Sequence, residues 1–242
     1  MNLLTFGPAL LKLAGICRKY NSNIPKFNRL RESGDIEAEK ELIWRESGIW
    51  AENTASALRI NFEIIGEENI PESGPLMVYS NHQGLADILA IYYLFRNHFQ
   101  IGFISKEEWR KMPILSKAIE YTRSIFLDRE NSRAAIKAIE EAKNLLDQGF
   151  NLAIYPEGTR ARCNKPGEFK MAAFKFAEKA GVPILPVTID GSYKVFEIDN
   201  NYHPDETITI TVHPLVHIED MGRDERKVAY KEIEQKIIHS IK

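Results

Sequence analysis

From residue 60 onward, short apolar runs alternate with longer segments of helical period, and this alternation constrains the fold more than any other feature of the chain. The runs at 60–65, 75–80, 101–105, 124–127, 151–155 and 184–189 have the length and composition of buried strands. The segments between them, 85–96, 107–120, 131–147 and 169–180, carry apolar residues at helical spacing. The pattern predicts an α/β fold, with a mixed, largely parallel central sheet flanked by helices. TITITV at 207–212 alternates and is β-branched throughout, which adds a strand, and 223–241 closes the chain as a helix.

Ahead of the alternation the texture is helical. Residues 36–58 form a helix of mixed polarity, and the Pro71-Glu72-Ser73-Gly74-Pro75 turn marks the passage into the α/β pattern. The expected division is therefore a helical region over 1–58 and an α/β domain over 59–242. A length of 242 residues suits one large domain with such an appendage. Hydrophobic content of 44% and charged content of 27% exclude a disordered chain, a fibre and a polytopic membrane protein.

The net charge of −2 argues against a nucleic-acid binder, but it conceals a division. Lys12, Arg18, Lys19, Lys26, Arg29 and Arg31 stand among the first 31 residues with no acidic residue, so this end carries +6 and the remainder −8. Apolar residues at 3, 6, 10, 13 and 14 follow helical spacing beside these cations. The stretch is too short, and too interrupted by Gly7, Pro8 and Lys12, to cross a bilayer that needs about 20 apolar residues. A basic amphipathic helix of this kind either docks on an anionic membrane surface, making the protein peripheral or monotopic on the cytoplasmic face, or packs on its own domain.

Cys17 and Cys163 are the only cysteines, which leaves no disulfide framework and no zinc cluster, and a reducing compartment is the expectation. His213 and His217 lie four apart in a strand-turn region with Pro214, a poor setting for a metal, and no metal or bound cofactor is expected. The P-loop, GxGxxG and HExxH patterns are absent, so nucleotide-binding and zinc-hydrolase chemistry have no sequence support.

Four segments at strand termini carry candidate chemistry. PLMVYS ends at Asn81-His82-Gln83-Gly84, and a helix with Asp87 in its first turn follows. On one continuous helix the two side chains would diverge by about 140°. They meet only if His82 lies in the turn and folds back. A histidine held by a carboxylate through one ring nitrogen has the other free to take a proton; alone, the same spacing is more commonly a core histidine and a helix-capping aspartate. Tyr155-Pro156-Glu157-Gly158-Thr159-Arg160 turns directly after an apolar strand and offers a hydroxyl and a guanidinium suited to phosphate. SIFLDR delivers Asp128 and Arg129 to a strand end, and Val182-Pro183-Ile184-Leu185-Pro186-Val187 enters a strand between two prolines.

In this order and at these separations, NHQGLAD, SIFLDR, YPEGTR and VPILPV resemble the four motifs of the glycerolipid acyltransferases, most closely the 1-acyl-sn-glycerol-3-phosphate acyltransferases. The likeness covers roughly residues 75–190, and ISKEEW at 104–109 and Phe169-Lys170 add to it. It implies that His82 deprotonates the free hydroxyl of a lysophosphatidic acid while Asp87 orients it, with direct attack on acyl-CoA or an acylated carrier protein and no acyl-enzyme. It further implies that Arg129 and Arg160, helped by Lys106, hold the acceptor phosphate. Glu157, Gly158 and Thr159 would shape that pocket, Glu157 as a structural partner of the basic residues. Val182, Pro183, Ile184 and Pro186 would wall the acyl site. The sequence departs from the family pattern at Arg123 and Ala172, where glycine is usual.

Overall fold

The computed structural model describes residues 3–111, 117 and 119–242, with only the backbone for 3–5. Three helices open the chain: α1 (Leu3–Asn21), α2 (Ile24–Ser33) and α3 (Ile36–Ala57). Seven strands follow: β1 (Asn61–Ile65), β2 (Met77–Ser80), β3 (Gly102–Lys106), β4 (Ile125–Leu127), β5 (Leu152–Ile154), β6 (Ile184–Asp190) and β7 (Thr207–Val212). They form one sheet in the order β1-β7-β6-β2-β5-β3-β4. Only the β6–β7 pairing is antiparallel among these neighbours. The expected mixed, largely parallel sheet is therefore present. Its helices include α4 (Ala86–Leu94), α5 (Ser132–Asp147), α6 (Lys175–Ala180), a short α7 (Tyr193–Phe196) and α8 (Arg223–His239).

Strand alternation divides the interior into two cores. Val78, Phe103, Ala153, Tyr155, Leu185 and Val187 face one side with α4 and part of α3. Met77, Tyr79, Ile104, Leu152, Ile154 and Ile184 face the other, with α5, α6 and α8. Parallel strands buried on both faces read as unbroken apolar runs, which is why MVYS and ILPV show no alternation.

Some expected boundaries move for local reasons. The run at 75–80 joins the sheet only from Met77, since Pro75 has no N–H and the Leu76 N–H bonds the Asn151 side chain at 3.0 Å. The segment 169–180 breaks into a 3-10 turn, Met171–Phe174, and α6. The helix expected over 107–120 begins as a 3-10 turn, Glu107–Lys111, and residues 112–116 and 118 of it lie outside the described residues.

The amino-terminal helices enter both cores. Phe27 of α2 is fully buried beside the Tyr121 ring, 5.3 Å between centroids, and full burial of such a side chain stabilises by roughly 2–3 kcal/mol. Leu42 and Ile43 of α3 share that core, while Ala51 and Ala55 enter the opposite one. On α1, Ala9 and Tyr20 are buried and Phe6 packs against Phe196 and Tyr202, whereas Leu10 and Leu11 are exposed, Leu11 by 78%. The helix thus has one face on its own domain and a second apolar edge outside.

One buried carboxylate binds this region to the sheet. Glu39 of α3, 1% exposed, accepts Arg31 Nη2 at 2.8 Å and Arg123 through Nε and Nη2 at 2.8 and 2.7 Å. Arg123 has φ +57, a conformation that explains glycine as the usual residue there and that this chain fills with an arginine whose side chain reaches Glu39. Arg31, counted among the six amino-terminal cations, is thereby committed to this ion pair.

Candidate active site

β2, β5, β3, β4 and β6 run parallel, so their carboxyl ends emerge along one edge of the sheet. Asn81-His82, Tyr155 to Arg160, Lys106, Asp128-Arg129 and Gly191-Ser192 all leave the sheet at that edge, the usual place for a site in an open α/β fold.

His82 lies in the turn between β2 and α4 and folds back as its spacing requires. Its Nδ1 is 2.6 Å from Asp87 Oδ2. The same oxygen accepts the Gly84 N–H at 2.8 Å, and the Ser192 hydroxyl donates to Asp87 Oδ1. Three donors thus hold a carboxylate that is wholly buried, while the His82 side chain stays 15% exposed. The other face of the interaction is aromatic, for the His82 ring lies 4.0 Å from that of Tyr155 and within 9° of parallel. With Nδ1 donating to Asp87, the lone pair sits on Nε2, which has no hydrogen bond among the described residues.

The backbone of the His82 turn is bound as firmly as its ring. Asn81 exchanges two 2.8 Å bonds with the Ile189 main chain through its amide. The His82 N–H donates to Glu157 Oε1 at 2.6 Å, and Glu157 Oε2 accepts the Gly167 N–H at 2.6 Å. Ala161 N–H reaches the His82 carbonyl at 2.7 Å, and Arg162 N–H reaches that of Gln83 at 2.9 Å. Burial pushes the Glu157 carboxyl up from its ordinary range, against the pull of the two amides. Burial, with Asp87 next to it, likewise raises the Tyr155 phenol well above its usual value.

The cationic side of the site is less closed. Arg129 donates from Nη1 to the Gly158 carbonyl, and burial lowers its pKa. Gly158 has φ +78, which favours glycine, and a Cβ there would push the Arg129 guanidinium out of its place. Arg160 Nη1 pairs with Glu197 Oε1 at 2.8 Å. Thr159 is exposed, and Lys106 stands at the end of β3 beside Leu127, just ahead of Arg129, with no side-chain bond among the described residues.

The sequence model of the Acyltransferase family matches residues 61–190, more than half of the chain, and this span holds all four strand-end motifs. The chain belongs to the acyltransferase family. Among solved structures it is similar to the 1-acyl-sn-glycerophosphate (LPA) acyltransferase PlsC from Thermotoga maritima. That likeness has a TM-score of 0.71 and 26% identity over 96% of this chain and 95% of that one. A 1-acyl-sn-glycerol-3-phosphate acyltransferase from Chlamydomonas reinhardtii is 32% identical over 69% of this chain, and one from Borreliella burgdorferi is 28% identical over 75%. The aligned part spans 50% of the Chlamydomonas protein and 72% of the Borreliella one.

Two readings of the motifs require correction. Glu157 pairs with no basic side chain among the described residues; it accepts two backbone amides and fixes the His82 turn. Val182, Pro183, Ile184 and Pro186 do not wall the space beside His82. Val182 and Pro183 precede β6, at the edge of the sheet opposite the His82 turn, and Pro183 O accepts the Met77 N–H at the start of β2. Val182 and Ile184 belong to the core on the other face of the sheet from Tyr155, and Pro186 is buried at the same strand parity as Ile184.

Tyr155, Ser192 and Glu197 complete the site without having been singled out from the sequence. Tyr155 begins YPEGTR and so was on view, but its stacking under His82 depends on β5 lying beside β2. The sequence marks Ser192 only by its place in Asp190-Gly191-Ser192, at the end of an apolar strand. The paired histidines separate: His213 Nε2 is 2.8 Å from Thr188 Oγ1, and His217 Nδ1 is 2.6 Å from Glu219. Among the described residues no group of three or more His, Cys, Asp or Glu is placed to hold a metal.

Proposed function

We propose that this protein transfers a fatty acyl group from an acyl thioester to the free hydroxyl of 1-acyl-sn-glycerol-3-phosphate, giving phosphatidic acid. The observation that carries the proposal is the His82–Asp87 contact at a strand end, with Nε2 unoccupied and the ring held by stacking, inside a family whose relatives bear that activity in their names. His82 Nε2 takes the hydroxyl proton as the oxygen attacks the thioester carbonyl. The carbon–sulfur bond then breaks, and the imidazolium returns the proton to the departing thiolate. Asp87 stabilises the imidazolium between these steps. No side-chain nucleophile is used, and the half-buried Cys163 lies in a loop, 3.7 Å from the Lys165 carbonyl.

Arg129, Arg160 and Lys106 supply the positive charge for the acceptor phosphate at the same sheet edge. The donor is acyl-CoA or an acylated carrier protein. Among the described residues no helix is long and apolar enough to cross a membrane. Docking through the outer edge of α1 fits the remaining amino-terminal cations: Lys12, Arg18, Lys19, Lys26 and Arg29 form no ion pair among the described residues, and each is worth up to about 1 kcal/mol near an anionic leaflet.

The test is purified protein with lysophosphatidic acid in anionic vesicles, supplied with each thioester donor in turn. Turnover is expected with at least one donor. His82→Ala should lower it by about 10² to 10⁴ while circular dichroism and the unfolding midpoint stay near those of the parent. Near-normal turnover by this variant would remove the assigned mechanism.

A further inference from the structure

Glu197, at the carboxyl end of α7, lies outside the four motifs and outside the span matched by the family, yet its carboxylate sits inside the site. Oε1 accepts Arg160 Nη1 at 2.8 Å and the Leu85 N–H at 3.0 Å. Leu85 is the third residue after His82 in the turn that leads to Asp87. A single carboxylate oxygen therefore joins the arginine of YPEGTR to the catalytic turn. The close approach is built in: a Cβ on Gly84 would lie 3.2 Å from Glu197 Cγ and 3.3 Å from the Tyr193 Cα. The Glu197 side chain is 7% exposed, while Arg160 keeps 24% of its surface.

A guanidinium held from Nη1 has its Nε–Nη2 edge left, the pair of parallel donors that fits two oxygens of a phosphate. Neither atom has a partner among the described residues. We propose that Glu197 is a positioning residue for the acceptor. It presents the Nε–Nη2 edge of Arg160 to the phosphate at a fixed offset from His82, so that binding the phosphate also places the hydroxyl against Nε2. Because both groups hang on the same oxygen, the distance between phosphate clamp and base is set by two hydrogen bonds rather than by the long flexible stem of an arginine. A fixed offset of this kind is what converts acceptor binding into a reactive geometry.

The proposal rests on the acceptor reading above and predicts a particular split. Glu197→Gln retains an oxygen for the Leu85 N–H and removes the charge that holds Arg160. In steady-state kinetics with lysophosphatidic acid the KM should rise about tenfold and kcat should fall with it, by about tenfold, with the thioester KM unchanged. A general loosening of the fold would move both KM values together and lower the unfolding midpoint. Titration calorimetry with a hexanoyl lysophosphatidate below its micelle threshold gives a second readout that needs no turnover, and the variant should bind about tenfold more weakly. Monoacylglycerol, which lacks the phosphate, should show no difference between variant and parent. Unchanged binding by Glu197→Gln would overturn the positioning role, and tighter binding would overturn it and mark Glu197 as a competitor of the phosphate. If the parent binds the short lysophosphatidate without acylating it, the acceptor site stands and the proposed reaction falls. If the parent does not bind it, both fall.

Discussion

The two halves of the site are held in opposite ways. Around His82 the donors and acceptors are used up: Asp87 takes three donors, Glu157 takes two amides, and Asn81 exchanges two bonds with Ile189. On the proposed phosphate side each arginine is tied at one nitrogen, Arg129 to Gly158 O and Arg160 to Glu197, and Lys106 has no side-chain bond among the described residues. A base must keep one tautomer and one orientation, so its supports leave nothing free except Nε2. A phosphate clamp must have donors left over, so its supports hold only one end.

The largest expected effect breaks this contrast from the saturated side. Asp87→Asn should lower kcat by about 10² to 10⁴, because an amide in place of the carboxylate neither stabilises the imidazolium nor enforces the Nδ1–H tautomer. The acceptor KM should move little, since Asp87 is wholly buried. Arg160→Lys should do the reverse. A lysine gives a point charge without the parallel edge, so the acceptor KM should rise by about 10-fold and kcat should change less. Stopped-flow or steady-state assays on both variants would separate the halves, and a kcat loss of equal size in both would show that base and clamp are not distinct.

The same contrast explains what was legible in the sequence. His82 and Asp87 are five residues apart at a strand-to-helix turn, and local geometry alone says how they can meet. The strand-end placement of Arg129 and Arg160 follows from apolar runs that stop just before them. The supports were hidden because they come from far along the chain. Ser192 reaches Asp87 only because β6 pairs with β2, and Glu157 reaches the His82 amide only because β5 pairs with β2 on the other side. An acidic residue three positions before Arg160 looks like its ion-pair partner, whereas the partner is Glu197, 37 residues on. Val182 and Ile184 were misplaced because an unbroken apolar run does not disclose which parity faces which core. Arg123 is the instructive departure, since its positive φ marks the backbone need for glycine while its side chain serves Glu39.

That third arginine sharpens the comparison. Arg123 lies just before β4, the strand that carries Arg129, but its guanidinium is spent on Glu39 from two nitrogens. It should therefore act on stability rather than on the phosphate. Removing the shared carboxylate by Glu39→Ala leaves Arg31 and Arg123 partly buried without their partner and should cost about 3 kcal/mol, read as a fall in the urea midpoint. At denaturant-free conditions the acceptor KM of this variant should stay within about threefold of the parent. A large rise in KM would place Arg123, through the segment it ties, on the phosphate side after all.

The smallest expected effect lies outside the site and concerns pH. Burial lowers the His213 pKa from 6.5 to about 4, helped by nearby Lys236. Thr188 Oγ1 donates its proton to the Ile237 carbonyl at 2.9 Å, so in its 2.8 Å contact with His213 it must accept, which assigns a proton to His213 Nε2. The unfolded chain binds a proton at this histidine below pH 6.5 and the folded chain does not until about pH 4. The contribution of His213 to stability is therefore complete above 6.5 and is lost as the pH falls toward 4. His213→Gln keeps a donor to Thr188 and has nothing to titrate, so its urea midpoint should fall less between pH 7 and pH 4.5 than that of the parent. Thr188 and its His213 contact face α8, on the side of β6 opposite the core that holds Tyr155, so the pH profile of kcat should be the same in both proteins. A shifted profile would mean that the saturated half of the site draws on the packing around β7, and the separation between rigid support and chemistry would no longer hold.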